Sequence, residues 1–315
     1  MMHKLSIIVP FLNEENNLAT LCKSITGALN PAGFEYEIIF IDDGSRDVGP
    51  KIVADLARQD IKVKLIRFRK NFGQTAAIAA GIKFSSGDVI VPIDADLQND
   101  PIDILKLLSK LDEGYDVVSG WRKDRQDTFI SRKLPSWLAN RLISKITGVY
   151  LHDYGCTLKA YRTDVIKDIP LYGEMHRFLP AYTAWYGARI TELPTAHHQR
   201  IHGQSKYGIS RTFRVILDLL VVKFLSNYLT KPIHFFGGIG VLSLFFGFLS
   251  GVIAIYWKIF SGRSLISTPL PLLSAILGVI GIQFILMGLL GEIMIRTYHE
   301  AQDKPIYLIK EKINL

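Results

Sequence analysis

Asp94, Asp96 and Gln98 stand at alternate positions in "IDADLQNDP", directly after the apolar run Val89–Ile93. In extended backbone, residues two apart project to one side. The three oxygen-bearing side chains are therefore expected to face one spot. Two ionised carboxylates that close repel, so one must hold a proton unless a cation lies between them. Carboxylate and amide oxygens suit a hard divalent ion, Mg²⁺ or Mn²⁺, and no His or Cys stands nearby to suit zinc. No basic residue occurs between Asp88 and Asp103, so the counter-charge has to arrive with a ligand. Helix capping falls to another residue: Asp100 precedes Pro101, an N-cap followed by proline at the first helical position. Asp103 then suits the first-turn dipole.

The elements that must position these groups can be read from the same stretch outward. "LSIIVPF" (5–11), "YEIIFIDD" (36–43), "VKLIRF" (63–68), "DVIVPID" (88–94) and "DVVSGW" (116–121) read as strands. Helical patterns over 14–29, 49–59, 73–84 and 101–111 separate them. Apolar strands alternating with helices predict an α/β fold, a mostly parallel sheet covered on both faces. Such sheets bind ligands at the carboxyl ends of their strands. Polar clusters sit at those ends: Asn13-Glu14-Glu15, Asp42-Asp43-Gly44-Ser45, Arg69 to Gly73, and Asp94 to Gln98. Any one could be a solvated loop or, for Asn13, a helix cap; four on one face predict a ligand site. A Gly-x-Gly-x-x-Gly fingerprint is absent after the first strand, which argues against an oxidoreductase.

Lys and Arg number 37 and Asp and Glu 29, for a net charge of +8. There is no polybasic run of nucleic-acid type, so the surplus points to a phosphorylated ligand or an anionic membrane surface. Cys22 and Cys156 are far apart, which suggests reduced thiols rather than a disulfide scaffold. The N-terminus leads straight into strand-then-helix sequence and does not read as a signal peptide.

Two segments carry no charge at all, Pro232–Trp257 and Ser264–Gly291. Each exceeds the roughly 20 residues a helix needs to cross a bilayer. The short "KIFSGR" between them makes a hairpin, with spans expected at about 233–257 and 268–292 inside residues 232–297. Lys231, Arg296, Lys304, Lys310 and Lys312 flank the hairpin, against Lys258 and Arg263 in its loop. This bias places the large N-terminal part, 1–208, and a tail, 298–315, in the cytosol. Ser243, Gly247 and Gly251, and Ser274 with Gly278, are spaced for close helix contact, in the hairpin or in an oligomer.

Residues 129–147 place Ile130, Leu134, Trp137, Leu138, Leu142 and Ile146 on one stripe, interrupted by Arg132, Lys133, Arg141 and Lys145. Such a basic amphipathic helix suits a membrane interface. Residues 209–231 are similar and lead into the first span.

In this order, "SIIVPFLNEENNL", "IIFIDDGSRD", "RKNFGQTAAIAAG", "DADLQNDP", "DYGCTLKAYR" and "HGQSKYG" resemble the family-2 glycosyltransferases of GT-A (Rossmann-like) fold. The resemblance is to the branch that acts on polyisoprenyl phosphates and covers nearly the whole chain. It implies a donor nucleotide held by Pro10, Asn13, Glu15, Asp42 and Asp43, with Asn71, Gly73 and Gln74 lining the same pocket. It assigns Asp94, Asp96 and Gln98 to the metal and diphosphate, Arg122 to the acceptor phosphate, and Arg200 and Lys206 to a basic segment closing over the diphosphate. Arg132 is a second candidate for the acceptor phosphate. Asp153 in "HDYGC" is the family's candidate base; on its chemistry it is expected instead to orient the acceptor or a cation. Gln204 stands where the family's usual residue is Glu.

The expected activity is inverting, metal-dependent transfer of one sugar, glucose from UDP-glucose in the first instance, to undecaprenyl or another polyprenyl phosphate. GDP-mannose or a UDP-aminosugar are alternative donors. A processive polysaccharide synthase would carry a Gln-x-x-Arg-Trp motif and more spans, and neither is found. A membrane-anchored nucleotide-sugar-binding protein without turnover is the non-enzyme alternative. A homo-oligomer, a downstream flippase and a transferase that uses the lipid-linked sugar are the expected partners; nucleic acid is not.

Overall fold

Leu5–Phe11 (β1), Tyr36–Asp42 (β2), Val63–Phe68 (β3) and Val89–Pro92 (β4) form the centre of the sheet. Every residue of β1, β2 and β4 is buried, as a sheet covered on both faces demands. β1 pairs in parallel with β2 on one side and β4 on the other, and β2 pairs in parallel with β3. The chain thus runs outward from β1 to β3, then crosses back to β4. That reversal beside β1 opens the crevice in which open α/β sheets bind ligands.

This computed structural model describes residues 4–123, 140–141, 143–145, 147–169, 171, 175–198, 232–262, 264–301 and 307–315. Helices α1 (Leu18–Leu29), α2 (Gly49–Gln59), α3 (Gln74–Phe84) and α4 (Asp103–Asp112) follow the four strands in turn. α1 buries Leu18, Leu21, Cys22, Ile25 and Leu29, and α4 buries Ile104, Leu107, Leu108 and Leu111, in one core with Ile7, Val9, Ile38, Phe40 and Val91. Their three- and four-residue spacing is the apolar stripe of a helix lying on a sheet. Each such side chain contributes about 1.5–3 kcal/mol by leaving water.

Beyond the expected strands lie three more: β6 (Lys159–Arg162), β7 (Ile190–Pro194) and β8 (Ile309–Ile313), with β5 at Val117–Trp121. The order across the sheet is β7-β5-β6-β4-β1-β2-β3-β8. β6 is antiparallel to both β4 and β5, and β8 is antiparallel to β3. Short helices α5 (Thr163–Ile166) and α6 (Leu179–Trp185) follow β6.

Three boundaries differ from expectation. α1 begins at Leu18, because Glu14–Asn17 forms a turn in which Asn17 Nδ2 donates to Glu14 Oε2 at 2.7 Å. Asn13, at φ 54°, is not its cap. β4 stops at Pro92, so Asp94 and Asp96 lie in the loop beyond it. Asp100 is not the N-cap of α4, which begins at Asp103 after Ile102; its Oδ1 accepts from Ile102 N at 3.0 Å in the turn that precedes the helix.

The chain divides into two units, Met1–Leu220 with Pro305–Leu315, and Val221–Lys304. The second is a hairpin of α7 (Pro232–Ser261) and α8 (Leu270–Ala301). Phe235–Ser261 and Leu270–Gly291 are long and apolar enough to cross a membrane, with mean hydropathy 2.2 and 2.3. Only 22% and 11% of their most apolar windows are buried, unlike helices of a soluble core. Their contact runs through small residues. A Cβ at Gly281 would lie 2.9 Å from Gly240 O, and Ser274 Oγ donates to Gly247 O at 2.7 Å. Residues 298–315, expected as a tail, supply the last turn of α8 and then β8, which pairs β3 and is the strand at that edge of the sheet.

Of the expected interfacial helix 129–147, residues 140–141, 143–145 and 147 are helical. Its predicted stripe, with Arg132, lies outside the described residues, as does the helix at 209–231.

Candidate active site

The loops after β1, β2 and β3 are tied together by the polar residues that end them. Asn13 N donates to Ser45 Oγ at 3.0 Å, and Asn13 Oδ1 accepts from Arg46 N at 2.9 Å. Glu15 N donates to Asp47 Oδ2, while Glu15 Oε2 accepts from Val48 N, both at 3.0 Å. Asp43 accepts from Phe72 N at 2.7 Å and Gly73 N at 3.0 Å. Asp42, fully buried, accepts from Ser45 N at 2.7 Å and Arg67 Nε at 3.2 Å. Gly44 has φ +80°, and a Cβ there would sit 2.5 Å from the Lys70 backbone. Only glycine allows the second and third loops to meet so closely.

These contacts sort the expected donor residues. Pro10 and Asp42 are buried, and Asp43 is spent on the Phe72–Gly73 turn. Burial raises the Asp43 pKa above the usual carboxylate value, with the Asp42 charge adding to it against those backbone bonds. Asn13 and Asn71 are exposed on the loop rim, and Glu15, Gly73 and Gln74 are partly so. Asp47 and Arg67, which with Ser45 hold the rim in shape, were not singled out from sequence, and Ser45 was named only as part of its strand-end cluster. Their signal was only their place at strand ends.

Gln74 opens α3 and reaches across to the fourth loop, its Nε2 donating to Asp94 Oδ1 at 3.0 Å. Asp94 has a pKa pushed up to about 6, first by burial and then by the charge of Asp96, while a Thr157 hydrogen bond and the charges of Arg122 and Lys159 oppose the rise. Asp96 is buried, and its Oδ1 accepts from Gln98 N at 3.1 Å. Gln98 points along a second segment: its Nε2 donates to His198 O at 3.4 Å, and His198 N donates to Gln98 O at 2.8 Å. The carboxylates meet through a turn at Ala95–Asp96, with Leu97 at φ 60°, and not through continued strand geometry.

Arg122, one residue past β5, and Asp153 form a two-pronged ion pair. Arg122 Nε lies 2.6 Å from Asp153 Oδ2, and Nη2 lies 2.9 Å from Oδ1. Gly155 N donates to Asp153 Oδ1 at 3.0 Å, and a Cβ at Gly155 would stand 3.1 Å from Arg122 Nη2. Burial opposes the guanidinium charge, but the Asp153 bonds and charge outweigh it and raise the Arg122 pKa. Buried Lys159 on β6 donates to Tyr154 O and Cys156 O from behind. Its pKa is lowered, chiefly by burial.

The structure therefore gathers Gln74, Asp94, Asp96, Arg122 and Asp153 in one region, with Thr157 and Lys159 beneath them. Thr157 and Lys159 stand within "DYGCTLKAYR", so the motif carried them unremarked. His176 was missed without any signal; its Nδ1 is 2.7 Å from Thr75 Oγ1, beside Gln74. Arg200, Gln204 and Lys206 lie outside the described residues. No group of three His, Cys, Asp or Glu side chains among the described residues is arranged to hold a metal by itself. The Asp94–Asp96 pair still has the chemistry of a site that a divalent cation completes: two carboxylates, with the pKa of Asp94 raised first by burial and then by the charge of Asp96.

The mostly parallel sheet, with its crevice beside β1, is of GT-A type. The Glycosyl transferase family 2 profile matches residues 6–170. The chain belongs to that family and is a glycosyltransferase. It is 43% identical to dodecaprenyl-phosphate galacturonate synthase of Rhizobium johnstonii, over 98% of this chain and 92% of that one. It is 36% identical to undecaprenyl-phosphate 4-deoxy-4-formamido-L-arabinose transferase of Edwardsiella ictaluri, over 98% and 94%. The fold is shared with glucosyl-3-phosphoglycerate synthase from Mycobacterium tuberculosis, solved with Mn²⁺, UDP and phosphoglyceric acid. That likeness has a TM-score of 0.56 at 18% identity and covers 70% of this chain and 78% of that one.

Proposed function

We propose that this glycosyltransferase moves a single sugar from a UDP-sugar to a polyprenyl phosphate at the cytosolic face of a membrane. The observation that carries the reading is the Arg122–Asp153 pair set beside Asp94. Two full-length relatives named for polyprenyl-phosphate sugar products support it, as do two helices able to cross a membrane. The flanking Lys and Arg residues support the cytosolic orientation.

Asp94 and Asp96, with the Gln98 amide, would hold a divalent cation, Mg²⁺ or Mn²⁺. When bound, it neutralises charge developing on the departing diphosphate. Asn13, Glu15, Asn71 and Gln74 line the rim for the nucleotide, over the scaffold of Pro10, Asp42, Asp43 and Gly73. Arg200 and Lys206 are the proposed cover for the diphosphate.

Arg122 uses Nε and Nη2 on Asp153. Among the described residues Nη1 has no partner, so the guanidinium keeps donors for an acceptor phosphate, with Arg132 as a second candidate. A phosphomonoester has its second pKa near 6 and arrives largely ionised. Its oxygen attacks the anomeric carbon, the bond from that carbon to the diphosphate breaks, and UDP leaves with the electron pair. No proton has to be removed. Asp153 has both carboxylate oxygens engaged by Arg122, which suits an orienting group rather than a base. Attack opposite the leaving group inverts the anomeric centre.

The relatives at 43% and 36% identity are named for galacturonate and formamido-arabinose, so UDP-galacturonate belongs in the donor panel with UDP-glucose. The test is purified protein with polyprenyl phosphate, Mg²⁺ or Mn²⁺, and a panel of UDP- and GDP-sugars, reading lipid-linked product. Transfer from one UDP-sugar is expected. Donor binding without transfer from any of them, with working controls, would leave the non-catalytic reading.

A further inference from the structure

The edge of the catalytic sheet is built by the end of the chain, after the apolar hairpin. β8 lies antiparallel on β3, with Phe68 opposite Ile309 and a register shift between Arg67 and Phe68. Asn314 Nδ2 locks its far end, donating to Ala57 O at 2.6 Å and Val63 O at 2.9 Å. Lys312 Nζ lies 4.0 Å from the centre of the Phe84 ring. At its near end Arg69 N donates to Leu308 O at 3.1 Å. Arg69 is the first residue of the loop that runs through Asn71 and Gly73 to Gln74.

Tyr307 closes this arrangement. Its ring is 5% exposed and stacks on Phe68, with centroids 5.1 Å apart and planes 16° from parallel. Phe68 in turn meets Phe72 edge-on at 5.7 Å. Phe72 N is the donor to Asp43, and two residues later Gln74 grips Asp94. An unbroken line of aromatic contacts thus runs from the last segment of the chain to the middle of the 69–74 loop. Phe68 is itself 1% exposed, so the line runs from a fixed core position on β3 out to the loop. The Tyr307 hydroxyl is buried with no hydrogen-bond partner among the described residues. What Tyr307 contributes is its ring.

We propose that the C-terminal strand is a positioning element of the donor site: Tyr307, through Phe68 and Phe72, holds the 69–74 loop in the shape that presents Asn71 and Gln74 to the nucleotide. The inference rests on the reading of that loop as part of the donor pocket. Tyr307 touches no substrate; it acts through Phe72. Losing an aromatic stack leaves the loop to be ordered by the ligand, and that ordering is drawn from donor affinity.

The test uses the full-length protein in detergent or nanodiscs, with UDP and Mn²⁺ as the binding probe and steady-state kinetics for both substrates. Tyr307→Ala is expected to weaken UDP binding and raise donor KM about five- to tenfold, with kcat and acceptor KM within about twofold of the parent. Tyr307→Phe is expected to match the parent, which a role for the hydroxyl would not allow. If Tyr307→Ala does not fold, Tyr307→Leu, which keeps apolar bulk and loses the stack, takes its place. Asn71→Ala separates the two levels of the argument. If Asn71→Ala weakens UDP binding and the Tyr307 variants do not, the positioning role is wrong. A uniform loss in kcat and both KM values would also overturn it. If Asn71→Ala leaves UDP affinity unchanged, the donor-pocket reading of the loop fails instead.

Discussion

Arg122 and Asp153 bind each other through two parallel hydrogen bonds of 2.6 and 2.9 Å, and both side chains are largely buried, at 15% and 5% exposure. A carboxylate so engaged is a poor proton acceptor and a good anchor. Asp153→Asn is therefore expected to raise acceptor KM and lower kcat while leaving the shape of the pH–rate profile intact. Loss of an alkaline or acid limb in that variant would restore the base role. Asp153→Ala leaves the guanidinium buried without its partner, which costs about 3–5 kcal/mol of stability. Chemical denaturation of the two variants separates these effects.

The Asp94–Asp96 pair predicts how cation binding depends on pH. Burial and the Asp96 charge push the Asp94 pKa up to about 6. Its folded pKa thus exceeds the ordinary value, so in the metal-free protein the native state holds more protons than the unfolded one between about pH 4 and 6. Stability without metal falls as pH rises through that window. Cation binding runs the other way, because the ion needs the deprotonated carboxylate. Mn²⁺ affinity, read by titration calorimetry, is expected to weaken by up to about tenfold per unit below pH 6. Asp94→Asn is expected to abolish Mn²⁺ binding and to raise the melting temperature of the metal-free protein. A variant that binds Mn²⁺ normally would remove Asp94 from the ligand set.

The parts of this site that sequence revealed are those whose physics is local. β1 and β3 begin and end where their apolar runs do, because a strand buried on both faces has no other pattern available. Asp94, Asp96 and Gln98 were visible as alternate acidic and amide residues at a strand end. Hidden were the pieces whose meaning depends on distant partners. β6 is four residues long and β7 is nowhere buried, so neither carries a strong pattern of its own. β8 reads as charged surface, "IKEKI", until β3 is placed beside it. The Arg122–Asp153 pair joins residues 31 apart; resemblance named both, but only the fold shows that they neutralise each other.

His176 gives the fold a second pH dependence, of opposite sign. It contacts Thr75 beside the site, and its pKa is depressed, first by burial and then by the charges of Arg177 and Lys159. Below about pH 6.5 the unfolded chain takes up a proton that the native state refuses. Native stability therefore falls with acidification, by at most about 1.4 kcal/mol per pH unit. His176→Gln is expected to flatten that slope in denaturant titrations run between pH 7 and 5, while wild-type protein shows the steeper loss. Equal slopes would mean that His176 is already charged in the native state.

The hairpin offers a test that turns on the difference between a hydrogen bond and a close approach. Ser274 Oγ donates to Gly247 O, yet interhelical hydrogen bonds in membranes contribute only about 0.6 kcal/mol on average, so Ser274→Ala is expected to change hairpin stability little. Gly281 is another matter. The Gly240 carbonyl would lie 2.9 Å from a Cβ at Gly281, and a Leu244 side-chain carbon 2.6 Å from it. Backbone on one side and a packed leucine on the other leave no room, so Gly281→Leu forces α7 and α8 apart. Cysteine pairs placed across the two helices are expected to cross-link as efficiently as in the parent in Ser274→Ala and poorly in Gly281→Leu. The helices are joined by packing of small residues, and undiminished cross-linking in Gly281→Leu would show that the contact at Gly240 is not what holds them.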